Sequence, residues 1–94
     1  MHSAIFVASI PDDQRIWGNF IAYVDVKMKG ATNVARLGEN VWLVNVQKSP
    51  TPLAWLIALA SDQNISHGLL PFEHAPEWLP GGFDPKTIQG QMRR

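Results

Sequence analysis

Ala31-Thr32-Asn33-Val34-Ala35-Arg36-Leu37-Gly38-Glu39-Asn40-Val41-Trp42-Leu43-Val44-Asn45-Val46 holds two β-forming runs split by a short polar break. Branched and aromatic side chains suit a pleated, half-buried surface, and a glycine-bearing break this short closes a hairpin. The first run is interrupted by Thr32, Asn33 and Arg36, which places it at a sheet edge. The second is nearly all β-formers and belongs in the middle. What flanks this hairpin sets the fold.

Upstream, Ala4 to Ala8 is continuously apolar and bounded by Ser9 and Pro11, as expected of a short strand buried on both faces. Pro11-Asp12-Asp13 then turns the chain and puts acidic groups where a helix amino terminus favours them. From Arg15 the spacing becomes helical: Ile16, Phe20, Val24 and Met28 recur at fours, with Ile21 and Tyr23 widening the stripe and Asn19, Asp25 and Lys29 facing water. Gly30 stops that helix. Downstream of the hairpin, Thr51 as cap and Pro52 as first helical residue begin a second helix, and Ser61-Asp62-Gln63-Asn64 ends it. Ile65 to Leu70, with Phe72 beyond, reads as a last strand. The order βαββαβ predicts the α+β class with a ferredoxin-like arrangement: a four-stranded antiparallel sheet, strands one and three central, and two helices on one face. Residues 1–75 form this domain. Residues 76–94 form a Pro- and Gly-rich tail with Pro76, Pro80, Gly81, Gly82 and Pro85.

Ninety-four residues leave room for one domain and no separate regulatory module. The charged fraction is 17%, against roughly 25% in an average soluble domain, and eight bases cancel eight acids. A neutral, charge-poor surface favours association. The absence of cysteine removes disulfides, thiolate metal sites and thiol nucleophiles, so a chain this small relies on its core or on oligomerising. Met1-His2-Ser3 offers no basic region ahead of the apolar run, and no run reaches the roughly 18 residues needed to cross a bilayer. A cytoplasmic protein without membrane contact is expected.

The second helix is apolar all round from Leu53 to Ala60, and Trp55 and Ile57 lie about 160 degrees apart on it, so one sheet cannot cover both. The expected cover is a second copy or the tail, with Trp55, Ile57, Phe72, Trp78 and Phe83 as interface candidates. Residues 49 to 85 contain acids but no lysine or arginine, while the bases ahead of them are Lys48 and the group Arg15, Lys27, Lys29 and Arg36. These four are the candidates for nucleic-acid contact, short of the stripe that makes such a reading specific.

For chemistry the signals are sparse. Asp12 and Asp13 suit a metal or a base but equally a helix start, and His67, Glu73, His74 and Glu77 follow no ligand spacing. A small-molecule pocket between helix and sheet, with His67 or Asn45 as its polar group, is a further expectation.

Two stretches, Ile5-Phe6-Val7-Ala8-Ser9-Ile10-Pro11-Asp12-Asp13-Gln14-Arg15 and Val34-Ala35-Arg36-Leu37-Gly38-Glu39-Asn40-Val41-Trp42-Leu43-Val44, resemble the small CRISPR-associated subunit of spacer acquisition and its SinR-like and virulence-associated protein D relatives. The resemblance covers residues 4 to 75 and implies a ferredoxin-like protomer that dimerises through its sheet. Some members are metal-dependent nucleases and others are structural DNA-binding dimers. Where the nucleases carry an aspartate two residues before the proline, this chain has Ser9, a weak ligand for a hard divalent ion. The expectation is therefore a non-catalytic homodimeric binding or assembly module without a cofactor, with nucleic acid or a protein as candidate partner. The alternative is a magnesium-dependent nuclease using Asp12 or Asp13.

Overall fold

The structure is a computed structural model that describes residues 1–77 and 79. Its elements run β1 (Ser3–Ala8), α1 (Gln14–Met28), β2 (Val34–Gly38), β3 (Val41–Asn45), α2 (Thr51–Asp62) and β4 (His67–Phe72). The strands form one antiparallel sheet in the order β2-β3-β1-β4, the ferredoxin-like arrangement, with the first and third strands central. Of the tail expected over 76–94, only Pro76, Glu77 and Leu79 fall within the described residues.

Each turn follows from local chemistry. Asp13 caps α1, its carboxylate accepting from the Arg15 backbone N–H at 2.9 Å, which satisfies one of the donors a helix start leaves open. At the other end the Ala31 N–H donates to the Met28 carbonyl at 2.9 Å with Gly30 at φ +79, a type II turn whose third residue needs the left-handed region. α2 ends in a Schellman motif. Asn64 takes φ +58, its N–H donates to Ser61, the Ile65 N–H donates to Ala60, and Ile65 and Ala60 both join the core. This motif holds Ile65 in the connection, so β4 starts two residues later than its apolar run predicts. α2 itself begins at Thr51, with Pro50 as its cap residue and no side-chain cap, so Thr51 is helical and does not act as the cap.

The core lies between the helices and one face of the sheet. Ala4, Phe6 and Ala8 of β1, Trp42 and Val44 of β3, and Val34 of β2 meet Trp17, Phe20, Val24 and Met28 of α1 and Leu53, Leu56 and Ala60 of α2. Trp17, Phe20, Trp42, Phe6 and His67 form a chain of ring contacts with centroids 5.3 to 6.0 Å apart, in tilted, edge-on and stacked pairs. In α1 the buried stripe is Trp17, Phe20, Val24 and Met28, while Ile16 is half-buried and Tyr23 exposed. The stripe is thus set by Trp17, whose large ring reaches Phe20. β1 is not covered on both faces: Val7 is 40% exposed and Ile5 half-buried.

Candidate association surface

Strand side chains alternate between faces, so cross-strand partners share a face. The register therefore assigns every strand residue. Val34, Val44, Ala4 and Pro71 form one row on the helix side, and Arg36, Trp42, Phe6 and Leu69 the next. Ala35, Leu43, Ile5 and Leu70 form an unbroken row across all four strands on the opposite side, flanked by Val41 and Val7. Among the described strand residues Arg36 is the only lysine, arginine, aspartate or glutamate. It lies on the helix side, its guanidinium 5.5 Å from the Trp42 ring. On the outer side the described strands carry no charged residue; Ser3 and Asn45 are its polar members, and Lys48 lines the groove beside them.

Asparagines stitch the ends of this surface. Asn40 in the hairpin turn donates from Nδ2 to the Ala8 carbonyl at 2.8 Å and accepts at its own carbonyl from the Ala8 N–H, extending the β1–β3 pairing. Asn33 donates to the carbonyls of Asn45 and Ser49, and Asn45 Oδ1 accepts from the Lys48 N–H. Between Asn45, Ser3, Leu43, Ala35 and Pro76 lies a shallow groove of about 410 Å³ on the outer side. Asn45 faces this groove, whereas His67 is stacked on Phe6 on the helix side with ring centroids 5.4 Å apart, its Nδ1 3.0 Å from the Ile65 carbonyl oxygen. The two residues named for a small-molecule pocket thus sit on opposite faces.

The candidate bases are not brought together. Arg15 and Lys27 are twelve positions apart on α1, about 18 Å at 1.5 Å per residue. Lys27 Nζ sits 4.1 Å from the centre of the Trp55 ring. Arg36 donates to the carbonyls of Gly38 and Glu39, clamping its own hairpin. Lys29 lies exposed at the α1 carboxy terminus. Ser9 and Asp12 are exposed, Asp13 is occupied as the helix cap, and among the described residues no three histidine, aspartate or glutamate side chains come together as a metal site. Ile57 is half-buried against the core, which leaves Trp55, 38% exposed, with Ala54 and Ala58 on the outer side of α2. Phe72 is half-buried on the outer side of the sheet beside Ser3. Trp78 and Phe83 lie outside the described residues. Among those residues no helix is long and apolar enough to cross a membrane.

The row Ala35–Leu43–Ile5–Leu70 is what the sequence reading missed. In β1 both parities are apolar, so the two-residue period that would separate a covered face from an open one is absent. Comparison with known proteins yields no matching family model, no matching curated protein and no matching solved structure.

Proposed function

We propose that the protein is a non-catalytic homodimeric ferredoxin-like module that acts by association, through the uncharged surface of its strand layer. One observation carries this reading: the only charged residue of the described strands, Arg36, lies on the helix side, leaving Ile5, Val7, Leu43 and Leu70 on the outer side without a charge among them. Leu70 is 56% exposed. Apolar area removed from water is worth about 25 cal/mol per Å², and an uncharged surface meets its own copy without like-charge repulsion. A protein surface suits it better than nucleic acid, because the outer side of the central strands offers neither bases nor the aromatic rings on which nucleotides stack. The resemblance to sheet-dimerising relatives agrees with this, and Ser9 argues against their metal-dependent cleavage.

Sedimentation velocity at micromolar concentration tests the proposal. The expected mass is twice the 10.5 kDa of the chain; a single-chain mass throughout that range overturns it. Magnesium-dependent cleavage of RNA or DNA that disappears in Asp12→Ala or Asp13→Ala would overturn the non-catalytic part.

A further inference from the structure

We infer that the contact is made edge to edge, β4 pairing antiparallel with β4 of a second copy. This rests on the reading that the chain self-associates, and names the element that does it. The Ser9 N–H donates to the Ser66 carbonyl at 2.8 Å, and with the β1–β4 register this turns the backbone groups of Ser66, Gly68, Leu70 and Phe72 towards β1. Those of His67, Leu69 and Pro71 point away from the sheet, where the described residues supply no further strand. Proline has no N–H to donate, so Pro71 sits at the one parity where that loss breaks no bond within the chain. It also bounds the outer ladder, whose donors are His67 and Leu69.

Exposed edges are ordinarily blunted by charge, by bulges or by a covering element. The β2 edge has two of these devices, Arg36 and a register shift between Arg36 and Gly38. Among the described residues the β4 edge has none before Pro71: His67 to Leu70 is exposed throughout, carries no lysine, arginine or acid, and presents Leu69 at 45% and Leu70 at 56% exposure. The occupant follows from symmetry. In an antiparallel pair about a two-fold axis residue i faces j and j faces i, so with the axis at Gly68 the outward N–H and C=O groups of His67 and Leu69 pair with those of Leu69 and His67 of the copy, and no lysine, arginine or acid on this edge meets a like charge across the axis.

The test compares three variants with the wild-type chain by sedimentation and circular dichroism. Leu69→Pro removes an outward N–H and leaves the β1 ladder intact, and Gly68 before it tolerates the restriction proline imposes on its predecessor. Leu69→Lys sets like charges against each other on the same edge. Both are expected to keep the fold and raise the dimer dissociation constant about tenfold or more, since each copy loses a contact. Val26→Lys, at a 72% exposed position on α1 away from the strand layer, is expected to leave the mass at two chains. Amide exchange on the wild-type dimer needs no variant: His67 and Leu69 should be protected and lose protection on dilution to single chains. Unprotected amides there, or folded Leu69 variants that stay dimeric, would overturn the edge contact and spare the association. A wild-type chain that never pairs overturns both.

Discussion

The two faces of the sheet are made from alternate residues of the same strands, yet they differ in kind. Ala4, Phe6 and Ala8 have no exposed surface and Phe6 joins a chain of aromatic rings, whereas Ile5 and Val7, their immediate neighbours, lie on a face without a helix and, on the central strands, without a ring. Apolar character alone therefore does not make a core residue. On the helix side size and shape are filled against partners, and on the outer side the same chemistry stays available for contact.

The sharpest way to break this comparison is to remove side chains from adjacent positions. Phe6 touches Trp42 and stacks on His67, so Phe6→Ala should cost about 3–5 kcal/mol, enough to unfold much of a domain whose total stability is of order 5–15 kcal/mol. Val7→Ala, one residue along, should cost less than about 1 kcal/mol in the monomer. Denaturant titration of the two variants decides it: equal losses would show that the outer face is as tightly packed as the inner.

A smaller effect is expected where the helix layer returns to the sheet. Gly30 has φ +79 and open space around its would-be Cβ, so Gly30→Ala should cost about 1–2 kcal/mol from backbone strain alone. A thermal midpoint indistinguishable from wild type would show that the turn into β2 relaxes without it.

Much of this architecture is legible in the residues themselves. The hairpin, both helices and the central placement of β1 and β3 follow from β-formers, helical spacing, Gly30 and Pro52, because those signals are local. The faces are not legible, because Ala4 to Ala8 gives no alternation, and which parity meets the helices depends on register across the sheet. The bases Arg15, Lys27, Lys29 and Arg36 look like one group along the chain but are separated by the length of α1 and by Arg36's bonds to its own turn. α2 misleads in a different way. Its apolar run suggests a face in need of cover, but its outer side is mostly Ala54 and Ala58, whose small side chains leave little apolar surface bare.

Trp55 is the one large ring on that outer side, and Lys27 lies over it at 4.1 Å, so the pair separates two accounts of association. An exposed cation–π contact is worth about 0.5–1 kcal/mol, which sets the expected loss of monomer stability in Lys27→Ala. That change also bares the indole further. If α2 were the contact between copies, uncovering Trp55 would strengthen association, because more apolar surface would be available there. If the strand layer is the contact, the mass distribution should not move while the thermal midpoint falls slightly. A tighter dimer in Lys27→Ala would transfer the interface from the strand layer to α2; an unchanged dimer with a small stability loss would leave Lys27 as a local lid on one ring and the proposed contact with the strand layer.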